Sequence, residues 1–260
     1  MIVVDVELKV DGSTAEIVLN RPHKMNAINF AMVKDLSECF ERALNANLRA
    51  LILRGEGPAF CAGRDLAEAD PRREDARSIL RDVFNPLILR LADFPVPTIA
   101  AVQGPCLGVG LGLALACDVV YAADDAKIGS PFGRIGAVLD SGAHAFLVAR
   151  IGTHRALELI YTGRLLNGKE AQAWGLINRS LERAALLDEA RALAASVAKG
   201  PTRAFVESKR IVRRIEEERL GLSAVLDLEA VAQGDVSRTE DYKEGISAFQ
   251  QKRTPQFLGR

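Results

Sequence analysis

The sequence has no excess of either charge: Lys and Arg together number 34, and so do Asp and Glu. Such a chain exerts no net pull on nucleic acid or an anionic membrane surface, which favours a small-molecule partner. Long apolar runs are also missing. None approaches the roughly 18 uninterrupted apolar residues that a membrane helix requires. The opening MIVVDVELKVDG lacks a basic segment followed by an apolar run and a cleavage site, so no signal peptide is expected. The expected location is cytoplasmic. Cysteine is sparse, and Cys39, Cys61, Cys106 and Cys117 show no CxxC spacing, so free buried thiols in a reducing compartment are expected. There is no internal repeat and no low-complexity segment.

What is present is an alternation of strand and helix patterns. VELKV and AEIVL alternate in polarity around a DGS turn and read as a hairpin. Asn29 stands where it would cap a helix carrying Met32, Leu36, Cys39, Phe40 and Ala43 on one face. ALILRG, stopped by Gly55 and Gly57, reads as a buried strand. The order repeats with a helix around 78–92, a strand around 98–102, a glycine-studded helix start and a strand around 118–122. This predicts an α/β fold with helices packed outside sheets. From about Asp140 onward the pattern is almost wholly helical, with breaks expected at Gly152, Gly163, Gly168, Gly175, Gly200 and Gly234. Residues 1–200 are expected to form the core and 201–260 a C-terminal helical region. The charged stretch from Arg213 to Arg219 reads as a solvated helix face.

Two loops stand out because each follows a predicted strand and opens toward a helix: AFCAGRDL, Ala59 to Leu66, and GPCLGVGLGLALACD, Gly104 to Asp118. Glycines there let a backbone approach a ligand closely, and free amides at a helix start favour a negative oxygen. Close helix packing by small residues is the alternative for the second loop. Together with LNRPHKMNAIN and EGISAFQQKR, these loops resemble, in order and over nearly the whole chain, the crotonase (enoyl-CoA hydratase/isomerase) superfamily. The resemblance implies a spiral of ββα turns, two roughly perpendicular sheets and a C-terminal helical region used in trimerisation. It also implies an acyl-CoA substrate whose thioester oxygen is held by two backbone amides, here those of Arg64 and Val109. Ala62, Asp65, Leu66 and Phe132 would border the substrate, Lys24 would meet phosphate, and Phe249 and Lys252 would reach the adenine end of CoA. No metal and no cofactor beyond the substrate's own CoA is implied, and the expected assembly is a homotrimer or hexamer.

The same resemblance separates reaction types. The two glutamates with which the family's hydratases handle water fall on Gly112 and Phe132. The histidine and tryptophan of its dehalogenases fall on Asn85 and Phe132. One carboxylate is left, Asp140 in RIGAVLDSG, a segment resembling that in which isomerases of the superfamily carry a functional aspartate. By position alone it could equally cap the following helix. His144, four residues on, could tune it or merely fill a polar pocket, and Arg64 and Arg134 read as surface or phosphate-facing charges. Val138 and Leu139 would wall Asp140 and raise its pKa. The overall likeness is to the family's ring-epoxide isomerases of phenylacetate degradation, with departures at Val109, Leu139, Ala143 and His144. The expected activity is therefore acyl-CoA isomerisation, moving a double bond or opening a ring epoxide. Other crotonase-type reactions and a non-catalytic CoA-binding protein remain as alternatives.

Overall fold

The computed structural model describes residues 4–70 and 72–260. The chain starts with the expected hairpin, β1 (Val6–Asp11) and β2 (Thr14–Leu19). Helix α1 (Phe30–Leu44) follows; the Asn29 side chain accepts from the Met32 amide, and the predicted apolar face is buried. Strand β3 (Ala50–Gly55) is buried throughout. The next helical stretch has three parts: α2 (Ala76–Ile79), a π-helical turn Leu80–Phe84, and α3 (Asn85–Ala92). Strands β4 (Thr98–Val102) and β5 (Pro105–Leu107) lead into α4 (Val109–Ala116), whose residues are all buried. An all-apolar helix of this kind belongs in the interior. Then come β6 (Val119–Ala123), β7 (Lys127–Gly129), α5 (Ala143–Thr162), α6 (Gly168–Trp174), β8 (Arg179–Leu181) and α7 (Arg183–Ala198). The last sixty residues are α8 (Thr202–Glu218), α9 (Leu222–Val236) and α10 (Glu240–Gln250).

The main sheet has the order β1-β2-β3-β4-β6-β8, with only the first pair antiparallel. Alternate residues serve its two faces. Leu51 and Leu53 join the large core with α1, α3 and α4, while Ala50 and Ile52 pack against Leu186, Ala190 and Ala194 of α7. A second, smaller layer runs from Ile28 to Leu166 through the pairings Ile28↔Arg64, Cys61↔Cys106, Cys106↔Ile128 and Ile128↔Leu166. Each main-sheet strand from β2 to β6 thus feeds a short strand in the second layer and then a helix. This is the ββα spiral that the family resemblance implies.

Three expectations about the helical half need correction. Strand β8 interrupts it and extends the main sheet beside β6. Gly234 breaks nothing, since α9 runs through it, and Gly168 is the first residue of α6 behind an Asn167–Glu170 capping box. Gly152, by contrast, leaves helical geometry inside α5, and Gly163 and Gly175 end their helices in the left-handed region.

Candidate active site

The two glycine loops meet in the second layer. The Cys61 amide donates to Pro105 and that of Leu107 to Cys61; the Ile28 amide donates to Gly63 and that of Asp65 to Ile28. These bonds fix Gly63–Arg64 beside Gly108–Val109. A Cβ built on Gly108, which has φ +53°, would lie 3.7 Å from the Gly63 Cα and 3.1 Å from the Phe132 ring. Only glycine fits that position. Among the described residues, the amides of Arg64 and Val109 donate to no protein acceptor. Two free donors at adjoining strand ends, one of them opening a buried helix, can hold a developing oxyanion. Val109 is itself buried.

Asp140 lies on the turn before α5, close enough to Arg64 for that residue's charge to act on its carboxyl. The turn packs onto α4 at Gly112, where a Cβ would come within 2.6 Å of the Ser141 Cβ and 3.2 Å of the Ile88 side chain. The Asp140 carboxylate accepts a 2.8 Å hydrogen bond from the Ser141 hydroxyl. Burial pushes its pKa above the ordinary aspartate value, against the Ser141 bond and the charges of Arg64 and His144, which pull it down. The residue that caps α5 is Gly142, and Asp140 lends the helix only its carbonyl, which accepts from the Ala143 amide. The capping alternative for its side chain therefore falls. Its apolar wall is one-sided: Leu139 is buried, whereas Val138 is 77% exposed and walls nothing within this chain.

Other candidates divide. Phe132 packs on Gly108 at the hole. The Arg64 guanidinium is not a free surface charge: it pairs with Glu74 at 2.6 Å and lies 5.4 Å over the Phe30 ring. Asp65 is buried, and its carboxylate is taken by Arg21 at 2.6 Å and by the Ala67 amide, so it braces the loop. Arg21 holds it below the usual aspartate range. Lys24 is exposed near Asp65, Leu66 is 58% exposed, and Ala62 is tied through its amide to Met25. His144 is exposed at the start of α5, and Arg134 reaches Gly163 at the helix's far end. Phe249 is 84% exposed, and among the described residues no hydrogen bond or ion pair ties it or Lys252 to the two loops. The sequence reading missed Asn26. Wholly buried, it accepts from the Arg21 amide and donates to Glu56 and Ala59, locking the RPHKMN turn to the first loop. Its left-handed φ of 54° is the one local signal, since Asn tolerates that region.

All four cysteines are free and buried, and burial pushes the thiols of Cys61 and Cys117 up to about 12. They are inert packing groups. Among the described residues no cluster of His, Cys, Asp and Glu could hold a metal, and no helix is long and apolar enough to cross a membrane.

Comparison with known proteins finds relatives along nearly the whole chain. The profile of the family described as enoyl-CoA hydratase/isomerase matches residues 9–260. A "probable enoyl-CoA hydratase" of Rhodobacter capsulatus is 36% identical over 98% of both chains. The 1,2-epoxyphenylacetyl-CoA isomerase of Escherichia coli is 36% identical over 96% of this chain and 97% of its own. The crystal structure of an enoyl-CoA hydratase from Bacillus anthracis superposes with a TM-score of 0.91 at 30% identity, covering 99% of this chain and 100% of that one.

Proposed function

The chain belongs to the enoyl-CoA hydratase/isomerase family, and from that premise we propose that it is an acyl-CoA isomerase using Asp140 as its one acid/base. The observation that carries the proposal is the packing at Gly112. Where a hydratase of this family would need a glutamate side chain, the Ser141 backbone and Cβ fill the space, and the same turn carries Asp140, whose carboxylate is bonded to the Ser141 hydroxyl. The other water-handling position is the Phe132 ring.

In the proposed reaction the thioester oxygen lies between the amides of Arg64 and Val109. Asp140 removes a proton from one carbon of the acyl group, the electron pair moves into the thioester to give an enolate, and the two amides hold its charge. One such donor contributes roughly 2.7–4 kcal/mol to lowering a barrier. Protonated Asp140 then returns the proton to another carbon, and the double bond has moved. The raised pKa suits a group that must be base and then acid near neutral pH. The substrate is a linear enoyl-CoA or an aromatic-derived ring epoxide carried on CoA. Lys24 contributes to phosphate binding, and Phe249 and Lys252 serve the adenine end from a neighbouring subunit of a homotrimer or hexamer. The apolar side chains exposed on α8 and α9, among them Val212, Leu222 and Leu226, support that assembly.

The test is product identity. The enzyme should convert 3-enoyl-CoA to 2-enoyl-CoA, or consume a phenylacetyl-CoA epoxide, and leave crotonyl-CoA unhydrated. Hydration at ordinary enzyme rates, of order 1–1000 per second, with no isomerisation would contradict the proposal.

A further inference from the structure

Ser141 is a residue out of place by backbone preference. It is buried, yet its φ is +54°, the left-handed region that residues other than Gly, Asn and Asp seldom adopt. The next residue, Gly142, is also left-handed, so the chain turns sharply between Asp140 and α5. A glycine at 141 would make the same turn without strain. What serine adds is its hydroxyl, and that hydroxyl donates to Asp140 Oδ1 at 2.8 Å.

We propose that Ser141 is a positioning residue that holds Asp140 Oδ1 so that Oδ2 alone faces the substrate and carries the shuttled proton. The inference rests on the isomerase reading of Asp140. Two contacts fix the geometry: the Ser141 backbone and Cβ wedge against Gly112 of α4, and the hydroxyl grips one carboxylate oxygen. Through the cycle the serine proton stays on Ser141. Oδ2 takes the proton from carbon and gives it back, while Oδ1 accepts the same hydrogen bond in both states. The bond is stronger to the ionised carboxylate, so it favours the base form. The charged groups acting on Asp140 are Arg64 from the first loop and His144 from α5; α4 meets the turn with Gly112.

The test compares the full-length wild type with Ser141→Ala, Ser141→Gly and Asp140→Asn, measuring kcat, KM and the pH profile of 3-enoyl-CoA isomerisation. Both serine variants should lose about tenfold or more in kcat, the scale of one hydrogen bond to a charged group, with KM little changed. Their acid limb should move to higher pH, because the ionised base has lost a donor. Ser141→Gly should melt no lower than Ser141→Ala, since both lack the hydroxyl and only glycine relieves the backbone strain. Wild-type kcat with an unmoved limb in both variants overturns the proposal, and so does a fall in kcat with the limb unmoved, which makes Ser141 a packing residue. If these results come with an inactive Asp140→Asn, only the role of Ser141 fails. An Asp140→Asn enzyme of wild-type activity sinks the reading of Asp140 as the acid/base, on which the role of Ser141 rests.

Discussion

The second-layer loops and the C-terminal helices are opposite solutions for apolar sequence. In the loops, Cys61, Cys106, Val109 and Leu111 are buried within the chain, and backbone hydrogen bonds tie each segment to the next. In α8 and α9, Val212, Leu222, Leu226 and Val231 are more than half exposed, and α9 buries only Ala232. A groove of about 500 Å³ lined by Ile211, Leu226 and Ala230 runs between the two helices. The difference separates apolar surface that the chain buries by itself from apolar surface that it leaves exposed. The amides of Arg64 and Val109 and the Asp140 turn belong to the first region, and α8 and α9 to the second, where exposed apolar patches are the mark of an interaction surface.

The sharpest way to break the contrast is to overfill the first region. Gly112→Glu would supply the carboxylate a hydratase uses, but its side chain would meet Ser141 and Ile88 in a closed core. We expect a loss of about 3 kcal/mol, at the upper end for overpacking, and no gain of crotonyl-CoA hydration, as measured by chemical denaturation and a hydration assay. In the second region a much larger change in polarity should cost the single chain little. Leu226→Glu sits 54% exposed and should alter monomer stability by no more than about 0.5 kcal/mol. If the face is an interface, the same variant shifts the mass measured by light scattering from trimer toward monomer.

The smallest effect concerns Asp140 itself. Its folded-state pKa is raised, so ionising it opposes folding: wild-type stability is fullest below the unfolded-state value, near 4, and falls as pH rises through the folded-state value. Asp140→Asn, which never ionises, should therefore melt above the wild type at neutral pH. That advantage should shrink as pH drops toward 4. An equal difference at both pH values would mean that the carboxylate's charge is not what burial opposes.

Much of this was legible in the sequence, for identifiable reasons. Strands β1 and β2 alternate in polarity and helix α1 follows a 3.6-residue pattern behind its capping Asn29, whereas β3 and β4 show as short apolar runs because they are buried throughout. The loops were legible through glycine, since Gly63 and Gly108 need positive φ. The ββα repeat was invisible as a repeat in the residues: the second-layer strands are one to three residues long and held by backbone bonds that constrain side-chain type weakly. Strand β8 escaped for the same reason, with Arg179, Ser180 and Leu181 only partly buried or exposed at the sheet's edge. Asn26 and the Arg21–Asp65 pair act across intervals of 30 to 44 residues, beyond the reach of periodicity. Val138 was misjudged because an apolar residue beside a functional one need not face it.

The most direct measurement is the saturated turnover of Asp140→Asn on 3-enoyl-CoA, with CoA-thioester affinity and thermal melting recorded on the same preparation. Removal of a general acid/base lowers kcat by about 10²–10⁴-fold, so a folded variant that binds the thioester normally should turn over at least a hundredfold more slowly. Turnover at the wild-type rate would contradict the assignment of Asp140 as the group that moves the proton.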